Sequence, residues 1–194
     1  MEYNILFAGV GGQGIITLGR LIGSALTNSG FNVLMAETHG LSQRGGSVTV
    51  HMRVGDVNSP LVPLGGADLL VGLELIEAVR NLGYLSRDGV KIVNDYIMRP
   101  SIPKIEIPSR EYLINKLREG GGDTYITSFT EYALELGDII YTNVIILGVI
   151  TSLDIIPGLT RDSVIEVIGR LKNKEYNLKA FNIGYDIVGE IKMI

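Results

Sequence analysis

A largely apolar run, a glycine-rich turn and a helix-patterned run follow one another at the start of this sequence, and that junction constrains the fold more than any other feature. Tyr3–Ala8 has the pattern of a short buried strand. Gly9-Val10-Gly11-Gly12-Gln13-Gly14 fits the spacing G-x-G-x-x-G. Ile15–Asn28 then places Ile15, Leu18, Ile22 and Leu26 on one helical face, and Gly30 stands where such a helix ends. Gly19 and Gly23 lie four apart, so they share a face and let the helix lie close on a sheet, at some cost in helix propensity. Asn32–Ala36 is a second apolar run. A strand, a helix and a strand in that order make a βαβ unit with parallel strands.

The rest of the chain keeps this style. Val48, Val50, Met52 and Val54 alternate with Thr49, His51 and Arg53, which predicts a strand over Ser47–Val54 with His51 on the outward face. Gly55-Asp56 turns the chain, and Val57–Val62 is read as a return strand, completing a hairpin whose edge is limited by Pro60 and Pro63. Strands follow at Ala67–Leu73, Val90–Asn94 and Thr124–Phe129, the last of the set. Helices are expected at Glu74–Leu82, Ser109–Glu119, Thr130–Leu136, Ile139–Leu153, Thr160–Leu171 and Leu178–Ile191. The expected fold class is α/β: one three-layer α/β/α domain over residues 1–194, with a Rossmann-like, mostly parallel sheet made mixed by the hairpin.

Composition removes several function classes. The net charge of −4 offers no basic excess for a phosphate backbone, so nucleic acid is not an expected partner. With no cysteine, these residues supply no disulfide and no thiolate for an iron–sulfur cluster; two histidines leave little for zinc, and no metal site is expected. No basic segment precedes an apolar run at the start, and the longest uncharged helix pattern falls short of a membrane span, which points to a cytoplasmic protein.

The glycine run carries the clearest chemistry. Its first glycine suits the tight turn, its second a close approach to a pyrophosphate and its third close helix packing, with free N–H groups facing the anion. Gly9, Gly11, Gly12, Gln13 and Gly14 are therefore candidate cofactor-binding residues. Glu37, 23 residues after Gly14 at the end of the second strand, joins them as a candidate partner for a ribose hydroxyl. From the residues alone, nicotinamide or flavin binding stands beside a purely structural turn. An adenylating enzyme of the ubiquitin-activating type has a similar glycine run, but it brings cysteines that this chain lacks.

The following segment resembles something narrower. Glu37-Thr38-His39-Gly40-Leu41-Ser42-Gln43-Arg44-Gly45-Gly46-Ser47, taken with Gly9–Gly14, is similar to the gamma-type subunit or domain of 2-oxoacid:ferredoxin oxidoreductases. The form His-Gly-x-Ser-Gln-Arg-Gly-Gly-Ser resembles the small (beta) subunit of the indolepyruvate type, and the pyruvate type differs in its lead into Arg-Gly. Looser matches are Tyr141-Thr142-Asn143-Val144, Leu147-Gly148 and Asn177–Tyr185, so the resemblance runs almost end to end. It implies an accessory subunit with no catalytic residue and no cofactor of its own. A larger partner would carry thiamine diphosphate and iron–sulfur clusters, coenzyme A would serve as co-substrate, and electrons would pass to ferredoxin. Neither Gly55-Asp56 nor Gly137-Asp138 has the Gly-Asp-Gly context of a thiamine site.

Within that frame His39, Gln43, Arg44, Gly45 and Gly46 form a candidate substrate or subunit-interface loop. Arg44 is the permanent cation, suited to carboxylate or phosphate, and a structural ion pair is its plainer role. His39 is expected to pack or cap rather than catalyse. Asn143, polar at the head of an apolar helix, is expected to cap it or make a buried hydrogen bond. Three classes stay open: the accessory subunit, a stand-alone nicotinamide- or flavin-binding oxidoreductase, and an interaction module whose glycine loop binds nothing.

Overall fold

A computed structural model describes residues 2–40, 45–99 and 106–194. The elements run β1 (Glu2–Val10), α1 (Ile15–Asn28), β2 (Val33–His39), β3 (Ser47–Gly55), β4 (Ala67–Gly72), α2 (Leu75–Arg80) and β5 (Leu85–Asn94). They continue as α3 (Arg110–Glu119), β6 (Thr124–Thr127), α4 (Phe129–Leu136), α5 (Thr142–Ser152), α6 (Arg161–Ile168), α7 (Lys174–Asp186) and β7 (Lys192–Met193). The strands form one sheet of order β2-β3-β1-β4-β5-β6-β7. Pairing is parallel from β1 through β4 and β5 to β6, and antiparallel at β2–β3, β3–β1 and β6–β7. The expected mixed, mostly parallel α/β sheet is what forms.

Its centre is buried on both faces: Ile5, Leu6, Phe7 and Ala8 of β1 are all fully inaccessible. Ile5 and Phe7 belong to the main core under α1, α4, α5, α6 and α7. The opposite face has two smaller cores, one around Val93 and Ile126 under α2 and α3, the other around Leu6, Ala8 and Leu70 against Val62. The α1 pattern holds, with Ile15, Leu18, Ile22 and Leu26 in the core. Gly19 and Gly23 admit the sheet closely: a Cβ on Gly19 would stand 3.2 Å from Met35 Sδ, and one on Gly23 3.4 Å from Met52 Cε. Ser109 caps α3 by accepting the Tyr112 N–H at 3.2 Å, and Thr160 and Ser163 form a capping box on α6.

Three expectations are corrected. The hairpin partner of β3 is β2, with Val33 opposite Val54 and His39 opposite Val48. Residues 57–62 form no strand. Pro60 and Pro63 lack the N–H groups that a ladder needs, and the segment crosses the sheet face instead. It is tied there by His51, whose Nδ1 accepts the Val62 N–H at 3.2 Å. Secondly, His51 is buried rather than outward, with Tyr84 edge-on at 5.4 Å. The strands β1 and β2 run parallel, as the βαβ unit implies, with β3 inserted between them. The burial of the two strands explains the order: β3 is covered on both faces, whereas β2 is half-buried and ends exposed, as suits an edge. Thirdly, Thr124–Thr127 is not the last strand, since β7 pairs antiparallel with it. No helix among the described residues is long and apolar enough to cross a membrane.

Candidate functional site

The glycine loop lies at the carboxyl end of β1, where the strand order reverses direction and open α/β sheets place their ligands. It is closed onto the segment that begins β3. Gly11 donates to the Gly46 carbonyl at 2.8 Å, and Gly45 donates back to the Gly11 carbonyl at 3.3 Å. Gln13 staples the loop from within: its Oε1 accepts the Val10 N–H at 2.8 Å, and its Nε2 reaches the Leu73 carbonyl at 3.4 Å. The Gln13 N–H is also used, donating to the Val10 carbonyl at 3.1 Å. Gly14 then starts α1 from a left-handed conformation (φ 74°), and its Cα packs against the Asn143 amide so closely that any Cβ would overlap it. The α1 N-terminus has neither a side-chain cap nor an acidic residue in its first turn.

The structure therefore joins Gly9–Gly14 to Gly45 and Gly46 but leaves Glu37 and His39 apart. With β3 inserted, Glu37 sits two strand spacings from β1, about 9–10 Å, rather than one. Its carboxylate meets Arg20 at 3.5 Å and His39 Nε2 at 3.3 Å. Gln43 and Arg44 lie outside the described residues.

Sequence reasoning missed the polar groups at the carboxyl ends of the central strands. Glu74 follows β4 and is 1% exposed. It caps α2 by accepting the Glu77 N–H, and burial pushes its carboxyl above the usual range. Buried Glu77 accepts Ser47 Oγ at 2.5 Å and Arg80 Nη1 at 2.9 Å. These side chains, with Val10, Gly45 and Arg99, line a cavity of about 200 Å³. Asn94 ends β5 and is fully satisfied, giving Nδ2 to the Leu73 carbonyl at 3.0 Å and to Thr130 Oγ1 at 2.8 Å. The available signal was positional: a carboxylate and an amide each terminate an apolar strand run, at the end of the sheet that carries sites. A wider, open depression of about 710 Å³ lies beside β5 and β6, but its Arg110 is already paired to Asp95, with Nε at 2.8 and 3.0 Å. Among the described residues no three metal-ligating side chains gather.

The sequence over most of the chain matches a known family. The model of the pyruvate ferredoxin/flavodoxin oxidoreductase family matches residues 4–187. The chain belongs to that family. Within it, the chain is 37% identical to the indolepyruvate oxidoreductase subunit IorB of Archaeoglobus fulgidus, over 96% of this chain and 95% of that one. Among solved structures it is similar to the gamma subunit of the keto/oxoacid ferredoxin oxidoreductase from Geobacter sulfurreducens, with a TM-score of 0.73, 24% identity and coverage of 97% and 99%. It is also similar in fold to the 2-oxoglutarate:ferredoxin oxidoreductase from Magnetococcus marinus, solved with 2-oxoglutarate, coenzyme A and succinyl-CoA. There the TM-score is 0.72 at 20% identity, and the match covers 98% of this chain but 32% of that longer one.

The family's chemistry can be tested against the donor set. Iron–sulfur clusters take thiolates, and this chain has none. A cluster therefore does not fit these residues, and no step of the reaction is assigned to one. Asn143 also departs from expectation. It is buried at the head of α5, yet Asn143 Oδ1 has no hydrogen-bond partner among the described residues.

Proposed function

We propose that this chain is the accessory, gamma-type subunit of a thiamine-diphosphate-dependent 2-oxoacid:ferredoxin oxidoreductase, of the type that oxidises indolepyruvate and related aryl pyruvates to acyl-CoA. The observation that carries the proposal is the near-complete overlap with an indolepyruvate oxidoreductase subunit at 37% identity. The absence of cysteine supports placing the clusters on a larger partner subunit, together with thiamine diphosphate, and the complex as a whole would reduce ferredoxin. The chain would work as one domain in a cytoplasmic hetero-oligomer.

The glycine loop, on this reading, is a scaffold for the loop before β3. Its Gly11 and Gln13 N–H groups are already committed within the protein. The chain's own contribution would be the surface around His39, Gln43, Arg44, Gly45 and Gly46, with Arg44 meeting a carboxylate or a coenzyme A phosphate. The alternative, a stand-alone nicotinamide or flavin enzyme, loses its acidic ribose partner: Glu37 lies a strand too far out and is held by Arg20 and His39.

The test is oxygen-free affinity purification of the tagged chain from its native cells, with iron and thiamine assayed in the eluate. A brown, thiamine-containing complex with a larger cysteine-rich partner is expected. In that complex Arg44→Ala should lower turnover without changing subunit composition. A colourless chain purified alone would overturn the proposal.

A further inference from the structure

The sheet has two edges, and they are finished differently. At one, β7 is two residues long and begins with Lys192, the kind of short, charged strand that discourages further pairing. At the other, β2 runs seven residues from Val33 to His39 with neither proline nor lysine, and its register with β3 is unbroken. Its acidic residue, Glu37, is paired with Arg20.

The ladder fixes which backbone groups face outward. The Gly55 N–H donates to the Asn32 carbonyl at 2.8 Å and the Gly40 N–H to the Ser47 carbonyl at 3.0 Å, so the even-numbered residues of β2 bond to β3. The N–H and C=O groups of Val33, Met35, Glu37 and His39 therefore point away from the sheet, and among the described residues they have no backbone partner. The four residues that join Gly40 to Gly45 span at most about 14 Å, whereas Met35 and Val33 lie about 17 and 23 Å back along the strand. The side chains of Val33 and Met35 lie on the α1 face, against Gly23 and Gly19. Along that face an open groove of about 410 Å³ separates α1 from the edge, lined by these four residues and Thr27. That is more than twice the roughly 150 Å³ that admits a benzene ring. Arg20 and Arg170 stand at the groove with side chains 69% and 64% exposed, each in one ion pair.

We propose that the β2 edge is the docking site for an extended segment of the larger subunit, which lengthens the sheet by one strand; this rests on the subunit reading above. Outward N–H and C=O groups at every second residue are met by a strand and not by a helix. The segment carries apolar side chains at alternate positions, which fill the groove, and an acidic residue beside the two arginines. A second copy of this chain does not complement the edge: a two-fold axis there sets groove against groove and the arginines against their own kind.

Amide hydrogen exchange on the free chain and on the purified complex reads the edge directly. In the free chain the outward N–H groups of Val33, Met35 and Glu37 should exchange fast, and those of Leu34 and Ala36, bonded to β3, slowly. In the complex the outward set should slow by about tenfold or more. Met35→Pro removes one outward N–H and no bond to β3, so the chain should keep its fold and bind the larger subunit about tenfold more weakly. If that variant fails to fold, the exchange pattern of the native complex decides. Outward amides that exchange as fast in the intact complex as in the free chain would overturn the proposal and leave the subunit reading standing. Protection in the free chain that grows with its concentration would give the edge to a second copy, which overturns it too. A chain that purifies with no larger subunit would end both readings.

Discussion

Helices α5 and α7 meet backbone to backbone through two glycines, and the consequence of filling that contact can be worked out. A Cβ on Gly184 would stand 2.7 Å from Ile145 C and 3.0 Å from Ile145 Cα; one on Gly148 would stand 2.7 Å from Tyr185 N. In an exposed helix, Gly→Ala stabilises by about 0.8–1.0 kcal/mol. Here the new methyl meets main chain, which has no rotamer to escape into, so the helices must part. Overpacking of this kind costs about 1–3 kcal/mol and more where nothing yields. Ile145 and Phe181 beside the contact are fully buried and would lose packing as the gap opens. Gly184→Ala should therefore destabilise by about 2 kcal/mol net, lowering the melting temperature by roughly 4–8 °C for a chain of this size. The urea midpoint should fall with an unchanged slope. Gly148→Ala should act alike, and the double variant should cost less than the sum, because one opening accommodates both methyls. Gly189, where an added methyl would meet nothing within 4 Å, is the control and should be close to neutral on substitution to alanine. A stabilised Gly184→Ala protein would refute the close-contact reasoning.

Two further outcomes are expected. Burial lowers the His51 pKa below its ordinary value near 6.5, so the unfolded chain binds the proton more readily. Stability should be full above about pH 6.5 and decline as pH falls from there towards the depressed folded value, and His51→Gln should flatten this decline; an unchanged slope in chemical denaturation across that window would exclude His51 as its source. Lys91 is fully buried and donates through Nζ to the Gly121 and Gly122 carbonyls, so Lys91→Met should cost about 2 kcal/mol or more and loosen the turn before β6 in hydrogen exchange, whereas unaltered protection at Tyr125 and Ile126 would show that the turn holds without it.

Much of this protein is legible because it is local. The strand, glycine turn and helix from Glu2 to Asn28 follow from apolar spacing and a turn that accepts a left-handed residue, and the caps at Ser109 and Thr160 act within three residues. The absence of thiolate chemistry is a matter of composition alone. Family membership was also legible, because the loop from Glu37 to Ser47 is a contiguous run of unusual residues. What local patterning does not contain is which strands become neighbours. The alternation of Ser47–Val54 permits a partner on either side, and only the burial of β3 on both faces decides that it stands between β1 and β2. That one placement carries Glu37 away from the glycine loop, and Val62, lying across the sheet face, buries His51, which a two-residue period puts outward. The closure of Gly11 onto Gly45 and Gly46 joins residues separated by 34 and 35 positions in the chain, and the approach of Asn143 to Gly14 residues separated by 129. Contacts of that separation arise from packing whole elements together, and so the site's walls, unlike its glycine motif, are settled only in the tertiary structure.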